Sequence, residues 1–484
     1  MSLALAARPD ERLSPLERLE VLCDPGSLSL LRTEVHSRRM GERARPGDGV
    51  VAGAGRIDGR AVFCFAQDGA FAGGSLGEAH ADTVVRVHEL AGRARVPVIG
   101  FVESAGARMQ EGVAALAGYG RIFRQHVRLS GQVPQISIVC GAAAGGGSYG
   151  PALTDFVIMA GARACMFLTG PGVVSRVTSE AVDSQTLGGS GVHERNGVCQ
   201  LVASTEVDGA LLARDVLDYL PQNAGERVAR WPAVEPSGAP PDAFVPREER
   251  RVYDIRDVVR ALVDGGRLLE ISPRYARNVV CALARLDGRA IGVLANQPGY
   301  LGGVLDAGAS QKAARFVRTC NLFGLPLVVL VDTPGFLPGS SQERAGIIRH
   351  GAKLVHAFAE ASVPRVTVLV RKAFGGAYIA MNSKDLGADF VFAWPSVRLG
   401  VMSAIQAVEI IHRREIGAAR DPERTAQRLA DAYTAEHLAP GVASGEGFVD
   451  EVIAPSATRD RVAGALASLE GHRREPAPAR NIPL

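Results

Sequence analysis

Lysine is scarce in this chain: the 54 basic residues include only four lysines, at positions 312, 353, 372 and 384. No lysine follows a glycine, which excludes the Gly-Lys dipeptide with which a P-loop holds nucleotide phosphates. The seven cysteines are odd in number and none is spaced as C-x-x-C, which excludes a zinc ribbon and a dithiol redox pair. No two histidines have metal-ligand spacing, so we predict no metal site.

An excess of charge of one sign is also lacking. The formal net charge is +3, which gives no electrostatic reason to expect nucleic acid or a membrane surface as a partner. No apolar run approaches the ~20 residues of a membrane span, and residues 1–12 become charged too early for a signal peptide. Cysteines within apolar runs, such as Cys140, are typical of reduced thiols in a cytosolic core. We therefore expect a cytoplasmic protein.

The chain instead contains one long pattern twice. Pro97 begins an apolar run that ends in an acid, a hydroxyl residue, a small residue and a glycine, and Pro326 begins another such run 229 positions later. Each run is followed by a helical stretch, a Val-Pro dipeptide, a second apolar strand and a glycine pair. The pairs, 145–146 and 375–376, are 230 positions apart. This period is far too long for a solenoid and indicates duplication of a whole α/β domain.

Strands that alternate with helices predict βαβ units and largely parallel sheets, an α/β fold. In the first copy the predicted elements are a helix and loop at 15–40, strands at 50–57, 61–66, 96–102 and 135–140, and helices at 78–94 and 110–129. In the second copy they are a helix at 252–263 and strands at 279–286, 290–294 and 366–370. The dipeptides at 58–59 and 287–288, both Asp-Gly, predict tight hairpins.

Composition shifts give the predicted domain limits. The proline-rich stretch 232–247 is the best candidate for a linker. We therefore predict an N-terminal domain at 1–235 and a C-terminal domain at 248–484. The tail from Arg473 is rich in proline and arginine and is expected to be extended or disordered.

The glycine pair 375–376 joins an apolar β-branched run to an apolar stretch of helical character. A small-residue turn at this place leaves backbone N–H groups free and aimed at one point, which suits a negatively charged oxygen. Tight packing of a helix on a sheet explains one such pair at least as well, but its repetition at 145–146 favours two anion-binding turns. No obvious nucleophile, general base or metal accompanies them. This is typical of a reaction with two stabilised oxyanions in which the reactants handle the proton.

Two motifs of other enzyme classes occur near the glycines. Residues 145–150 match G-x-G-x-x-G, but Asp155 comes too early for the acid that holds a ribose about 20 residues on, so a nicotinamide site is disfavoured. The pattern G-x-S-x-G surrounds Ser75 and Ser148. With the strand ending at Cys140, Ser148 lies eight residues beyond it, and no clear strand precedes Ser75, so a triad hydrolase is disfavoured but stays open.

Some polar residues permit two interpretations. His350 and His356 are expected on a helix near a surface or interface. Arg108 and Glu111 either shape a pocket or form an ion pair between positions i and i+3.

From about Leu16 to Leu484 the chain resembles the carboxyltransferase (beta) subunits of biotin-dependent acyl-CoA carboxylases, of the propionyl-CoA and actinobacterial acyl-CoA carboxylase type. The motifs that carry the resemblance are GGSLGE at 73–78, SAGAR at 104–108, the stretch 134–155, TGP at 169–171, KAARFVR at 312–318, DTPGFLP at 332–338, RHGAK at 349–353, RKAFGGAY at 371–378 and AWP at 393–395. Their order and spacing are those of the family, which makes the resemblance highly specific.

The resemblance implies two tandem crotonase-like domains per chain. The N-terminal domain would bind the CoA ester, and the C-terminal domain of a neighbouring subunit would bind carboxybiotin. Amides of Gly145 and Gly146 would hold the thioester enolate oxygen, and amides of Gly376 and Ala377 the biotin ureido oxygen. Further substrate-binding residues implied by the family are Ser104, Ala105, Gly106, Ala107, Arg108, Tyr149, Gly170, Pro171, Phe374, Gly375, Tyr378 and Ile379.

The reaction implied is transfer of CO2 from carboxybiotin to the α-carbon of a short acyl-CoA, with the cofactor acting as its own base. Segments for biotin attachment and for an ATP-grasp carboxylase are missing from the sequence. The chain is therefore expected to need a biotin carboxylase and a biotin carboxyl carrier (alpha) subunit as partners. Family members form hexamers, and neither a metal, a nucleic acid nor a membrane is implied.

Some positions depart from the family pattern. Ala105 and Ser403 stand where glycines are common, and Gly172 stands where an acid is often found. Alanine is tolerable at position 105 unless that residue needs a positive φ. Ile379 replaces an aspartate of some relatives and would present an apolar side chain to the acyl group, so we expect acetyl-CoA or propionyl-CoA as substrate.

Three other functions stay open at this point. A biotin-dependent decarboxylase subunit would run the same reaction backwards. A crotonase-type hydratase or hydrolase would act without biotin. A non-catalytic paralogue would serve as a scaffold, although the intact glycine pairs argue against it.

Overall fold

The computed structural model describes residues 12–249 and 251–471, so the predicted extended tail from Arg473 lies outside the described residues. The chain divides into two compact units, Met1–Val228 and Ala229–Leu484, each with its own eight-stranded sheet. The proline-rich stretch 232–247 belongs to the second unit by this division, and the domain limits 1–235 and 248–484 stay a prediction. In the described part of the chain no helix combines the length and apolar character needed to cross a membrane.

The first unit is a sheet of the order β1-β2-β3-β4-β5-β6-β8, with β7 paired to the end of β5. Its strands are β1 (Ser29–Leu31), β2 (Val50–Ile57), β3 (Arg60–Gln67), β4 (Val98–Ser104), β5 (Gln135–Ala144), β6 (Phe156–Ala160), β7 (Cys165–Phe167) and β8 (Leu201–Ala203). Its helices are α1 (Pro15–Leu22), α2 (Glu78–Ala94), α3 (Val113–Leu129), α4 (Gly146–Ala152), α5 (Pro171–Thr178), α6 (Ser184–Gly188), α7 (Ser190–Asn196) and α8 (Glu206–Asp218). Neighbouring strands are antiparallel from β1 to β3 and parallel beyond.

Helix α2 illustrates how the sequence forms the core of this unit. Ala81, Val84, Val87 and Ala91 recur at intervals of three or four residues, which places them on one face of the helix. All four are buried in one cluster with Tyr119 of α3. Burial of each valine contributes roughly 1.5–3 kcal/mol, so tertiary packing rather than helix propensity determines where α2 lies.

The second unit repeats this sheet strand for strand, in the order β9-β10-β11-β12-β13-β14-β16 with β15 paired to the end of β13. Its strands are β9 (Leu268–Ile271), β10 (Val279–Leu286), β11 (Arg289–Asn296), β12 (Leu327–Thr333), β13 (Arg365–Phe374), β14 (Phe390–Ala393), β15 (Arg398–Gly400) and β16 (Glu451–Val452). Its helices are α9 (Ile255–Arg260), α10 (Ala307–Leu322), α11 (Ser340–Arg344), α12 (Ile347–Glu360), α13 (Gly375–Ala380), α14 (Ala404–Ile411), α15 (Arg413–Ala418), α16 (Pro422–Tyr433), α17 (Pro440–Gly445) and α18 (Thr458–Ser468). A π-helical turn, Thr434–Leu438, follows α16.

The predicted α/β class, with two repeated and largely parallel sheets, is confirmed. Both Asp-Gly hairpins are present, at 58–59 between β2 and β3 and at 287–288 between β10 and β11. The predicted end of β5 at Cys140 was wrong, because Ala142, Ala143 and Ala144 continue the strand by pairing with β7. The predicted helix 252–263 is shorter than expected, since only Ile255–Arg260 is helical.

The few lysines and the cysteines have distinct environments. All seven cysteines are buried free thiols, as expected from the apolar runs that contain them. All four lysines belong to the second unit. Lys312 is buried, its ammonium group donates to the backbone carbonyls of Tyr275 and Val279, and burial lowers its pKa. The Lys312 ammonium group therefore stabilises the loop that joins β9 to β10.

Candidate active site

The first glycine turn (residues 144–147) links the end of β5 to the start of α4. Gly145 has φ 55° and ψ −123°, a conformation that only glycine adopts without strain. Its N–H group donates to the carbonyl of Phe167 at 3.0 Å. The next two N–H groups, of Gly146 and Gly147, have no hydrogen-bond acceptor among the described residues, and we call them open. The first turn therefore presents two open N–H groups beyond the one that Gly145 uses internally.

The second glycine turn (residues 374–377) has the same construction between β13 and α13. Gly375 has φ 58° and corresponds to Gly145 in the repeat. Within the described ranges no acceptor meets the N–H groups of Gly376 and Ala377. In the second turn the open N–H groups belong to Gly376 and Ala377, the pair named in the sequence analysis. In the first turn they belong to Gly146 and Gly147, whereas Gly145 and Gly146 were named in the sequence analysis. The N–H group of Gly145 is bonded to Phe167 instead.

A loop that follows the neighbouring strand faces each turn, because the carboxyl ends of parallel strands share one edge of the sheet. In the first loop (residues 104–107), the Ser104 hydroxyl accepts a hydrogen bond from the Gly106 N–H at 3.2 Å. Ala105 has no positive φ, which explains why alanine is tolerated there. Leu76 bridges to Ala107, whose own N–H group has no acceptor among the described residues.

Tyr119 of α3 lies directly against the first turn. A Cβ atom built on Gly146 would lie 2.8 Å from the Tyr119 ring, so glycine at 146 is what admits the ring. The Tyr119 hydroxyl is 3.0 Å from the Ser104 hydroxyl. Burial raises the pKa of Tyr119 to about 12, so the phenol stays protonated at neutral pH. This tyrosine therefore couples the first turn to the first loop.

Arg108 is placed differently from the other residues of its motif. Its side chain is buried and bonds to Asp48 at 2.6 Å, to Glu111 at 2.8 Å and to the carbonyl of Ser75 at 2.9 Å. The ion pair with Glu111 predicted as one of two interpretations is present, although it spans a 3-10 turn rather than an α-helix. Arg108 therefore fixes the first loop from inside and does not present its charge to solvent.

The remaining residues of the predicted first site lie along the same edge of the first unit. Tyr149 is on α4 and half exposed. Gly170 and Pro171 begin α5 and are partly buried. A Cβ atom on Gly170 would contact the Phe167 ring at 3.6 Å, and Phe167 in turn accepts from Gly145. These contacts connect the start of α5 to the first turn through Phe167.

The predicted residues of the second site surround the second turn. Phe374 is buried at the end of β13, whereas the side chain of Ile379 is 50% exposed on α13. The hydroxyl of Tyr378 is buried and meets no hydrogen-bond partner in the described part of the chain, and burial raises its pKa to about 12. Ile379 is thus the side chain of α13 that is available to a ligand.

A profile described as carboxyl transferase domain matches residues 6–482. The chain belongs to the carboxyl transferase domain family. It is 46% identical over 469 residues to the propionyl-CoA carboxylase beta chain of Roseobacter denitrificans, a match that covers 95% of this chain and 91% of that protein. It is 42% identical over 485 residues to the methylmalonyl-CoA decarboxylase subunit alpha of Propionigenium modestum, with 98% and 93% covered.

The crystal structure of transcarboxylase 12S, described as a hexamer assembly with methylmalonyl-coenzyme A bound, matches with a TM-score of 0.93 and 44% identity. The match covers 98% of this chain and 92% of that one. The predicted crotonase-like fold is thereby confirmed. This carboxyl transferase family member is a carboxyltransferase of the propionyl-CoA carboxylase type, as the sequence motifs indicated.

Some residues of the site were missed by the sequence analysis. Tyr119 was not singled out, because a tyrosine in a helical stretch gives no signal of the ring contact that it makes. The side-chain oxygens of Gln67 and Asn296 accept from the backbone N–H groups of Glu103 and Asp332, at 3.0 and 3.2 Å. These two residues are 229 positions apart, so the offset between the prolines could have identified them as a pair.

Ser148 and Asp332, two polar residues near the turns, are engaged in structural contacts. The Ser148 hydroxyl donates to the carbonyl of Gly145 at 2.7 Å, and Ser148 lies four residues beyond the end of β5 rather than eight. Asp332 is buried, accepts from Tyr253 at 2.8 Å and pairs with Arg371 at 3.1 Å, and burial raises its pKa. Within the described residues no cluster of histidine, cysteine and acidic side chains is arranged to hold a metal ion. The chemistry that this edge offers is therefore hydrogen bonding from the backbone.

Proposed function

We propose that this carboxyltransferase moves CO2 from carboxybiotin, carried on a partner protein, to the α-carbon of a short acyl-CoA. Acetyl-CoA would give malonyl-CoA, and propionyl-CoA would give methylmalonyl-CoA. The observation that carries the proposal is the pair of open N–H groups at the same place in two repeated units, Gly146 and Gly147 in one and Gly376 and Ala377 in the other.

In the first unit the open N–H groups fit an oxygen on which negative charge develops, which is what the thioester carbonyl becomes when the α-proton leaves. Loss of one such donor typically lowers kcat by about 100- to 1000-fold. The proposed donors are Gly146 and Gly147, and Gly145 acts by giving the turn its shape. The CoA-ester side is therefore assigned to the first unit, with Ser104, Tyr149 and the start of α5 as further contacts.

In the second unit the open N–H groups of Gly376 and Ala377 fit the ureido oxygen of biotin. The bound cofactor supplies both the CO2 and the base for the α-proton. The chain's own residues then need only hold and orient the two reactants. This is consistent with the phenols of Tyr119 and Tyr378, which burial keeps protonated, so that neither serves as a base at neutral pH. Phe374 and Gly375 complete this proposed site, and Ile379, half exposed on α13, would face the acyl group of the CoA ester.

The partners proposed are a biotin carboxylase and a biotin carboxyl carrier, with a homohexamer as the assembly. The hexamer is supported by the description of transcarboxylase 12S as a hexamer. The carboxylase partner is supported by the similarity to a propionyl-CoA carboxylase beta chain. In the family the CoA ester and the carboxybiotin meet between neighbouring subunits, which an isolated chain would not reproduce.

A second candidate is the reverse reaction, in which the chain is the carboxyltransferase of a biotin-dependent decarboxylase. The similarity to methylmalonyl-CoA decarboxylase subunit alpha favours it. Both candidates use the same half-reaction at this chain, and the partner subunits decide the direction. A hydratase or hydrolase that acts without biotin is disfavoured, because Ser148 is held in an internal hydrogen bond and Asp332 is buried and paired with Arg371.

The half-reaction can be measured on the purified protein in its own homo-oligomeric assembly, without the biotin carboxylase and biotin carrier subunits. Methylmalonyl-CoA or malonyl-CoA is incubated with free biotin in the absence of ATP, and we expect decarboxylation that depends on biotin. Turnover of an enoyl-CoA without biotin, with no biotin-dependent decarboxylation, would contradict the proposal. Fixation of labelled bicarbonate into a panel of acyl-CoA esters, with the partner subunits and ATP supplied, then establishes the substrate and the direction.

A further inference from the structure

The loops that face the two turns differ at one equivalent position. Leu76 bridges to Ala107 in the first unit, and Leu305 bridges to Phe336 in the second. Ala107 and Phe336 are 229 positions apart, the offset of the repeat. The second unit therefore carries an aromatic ring where the first carries a methyl group.

The ring of Phe336 lies between two glycines. A Cβ atom on Gly376 would lie 3.7 Å from one edge of the ring, and a Cβ atom on Gly351 of α12 would lie 3.5 Å from another edge. Larger side chains at these positions would compete with the ring for this space. Phe336 is partly exposed and Gly376 is exposed, whereas Ala377 is buried, so the ring borders the solvent side of the turn at Gly376.

The first unit places its ring in another way. Tyr119 reaches the first turn from α3, is buried, and uses its hydroxyl to bond Ser104. Its ring therefore supports the turn and is itself shielded from solvent. The ring nearest the glycine pair is thus buried at the first turn and partly exposed at the second.

We propose that Phe336 is the residue that makes the second turn specific for biotin, and this inference depends on the proposed function. A ligand that suits this place must bring an oxygen to Gly376 and Ala377 and a compact apolar body to the adjoining ring. The ureido oxygen of biotin and its fused sulfur-containing ring supply the two parts, and a thioether sulfur packs well against an aromatic edge. The extended polar arm of a CoA ester supplies no apolar body of this shape.

The test compares biotin with dethiobiotin, which keeps the ureido oxygen and lacks the sulfur-containing ring. Each is used as CO2 acceptor in the decarboxylation of methylmalonyl-CoA by the full chain without ATP. We expect the wild type to have a KM for biotin about tenfold below that for dethiobiotin, the size of one good aromatic contact. In Phe336→Ala this ratio should fall to about one, while the KM for methylmalonyl-CoA stays unchanged.

Two further variants distinguish loss of the contact with the Phe336 ring from a general loss of fold stability. Phe336→Leu keeps most of the apolar volume and should give an intermediate ratio. Phe323→Leu makes the same change at a buried residue that precedes β12, at the end of the strand opposite to the site. It should lower Tm and leave the ratio as in the wild type.

A binding measurement adds a readout that does not depend on turnover. In saturation-transfer NMR, protons of the sulfur-containing ring should receive saturation from the wild type and lose it in Phe336→Ala. An unchanged ratio in both Phe336 variants would overturn the inference, as would an equal rise in the KM of biotin and of methylmalonyl-CoA. Wild-type protein without any biotin-dependent decarboxylation would overturn the proposed function itself, and this inference with it.

Discussion

The guanidinium of Arg108 lies 2.6 Å from the carboxylate of Asp48, and both side chains are completely buried. Glu111 joins them at 2.8 Å from the same nitrogen and also accepts from the backbone N–H of Glu78. This network ties the first loop to the start of α2. It explains how a loop can face the first turn with a fixed geometry although it has no regular secondary structure.

Replacement of Arg108 by methionine is therefore expected to destabilise the fold strongly. Two buried carboxylates would be left without their counter-charge, which typically costs about 3–5 kcal/mol of the free energy of unfolding. Urea denaturation of the variant measures this loss. Arg121→Met is the matched control, since Arg121 pairs with Asp82 in a largely exposed bridge worth at most about 1 kcal/mol. A loss for Arg108→Met no larger than that of the control would contradict the structural role.

Three buried histidines predict a loss of stability in mild acid. Burial lowers the pKa of His80 and of His88 to about 3, and it lowers the pKa of His126 as well. The folded-state values lie below the unfolded value of about 6.5, so the unfolded chain takes up protons that the folded chain does not. Stability is therefore complete above about pH 6.5, and below it His80 and His88 each remove up to about 1.4 kcal/mol per pH unit, while His126 adds a loss of the same sign.

Urea midpoints at pH 7.5, 6.5 and 5.5 measure this slope. His88→Gln should reduce the slope, because it removes one of the titrating groups, whereas His36→Gln should leave it unchanged because His36 is exposed. A slope that is the same in His88→Gln and in the wild type would contradict the assignment.

The second turn predicts a sharp difference between two small substitutions. In Gly376→Ala the new Cβ atom lies 3.7 Å from the Phe336 ring, an ordinary contact, so activity should be largely kept. In Gly376→Val the branched side chain enters the space in front of the N–H groups, and turnover should fall at least ~100-fold. Initial rates of biotin-dependent decarboxylation measure both, with circular dichroism to establish that each variant is folded. Equal activity of the two variants would argue against the second turn as a binding site.

Ile379 is predicted to contact the acyl group. Ile379→Asp replaces an apolar surface by a charged one, and since a single methylene is worth about 0.8 kcal/mol, we expect the ratio of kcat/KM for propionyl-CoA and acetyl-CoA to change about threefold or more. Ile379→Leu keeps the apolar surface and should preserve the ratio. An unchanged ratio in Ile379→Asp would remove Ile379 from the acyl pocket.

Local signals predicted much of the fold. The bounds of α2 are those expected from the sequence, because its apolar period and the glycine before it are local features. The end of β5 was not predictable in this way, since Ala144 continues the strand by pairing with Phe167, 23 residues further on. Phe167 also explains which N–H groups of the first turn are open. Its carbonyl accepts from the N–H group of Gly145, so the open N–H groups are the next two, of Gly146 and Gly147.

The place of the site in the chain was likewise predictable, but the atoms that surround it were less so. The two glycine turns follow from the repeated pattern alone. Whether a ring reaches such a turn from a helix, as Tyr119 does, or from a loop, as Phe336 does, depends on packing between elements distant in sequence. Residues of this kind become visible only once the strands are aligned in the sheet.

The distribution of the lysines makes selective chemistry possible. Lys353, Lys372 and Lys384 are partly exposed and Lys312 is buried. All four belong to the second unit. Amine-reactive reagents will therefore modify the α-amino group of the chain and, among side chains, only the lysines of the second unit. Footprinting or cross-linking through amines thus reports directly on what approaches the second sheet, without any engineered tag.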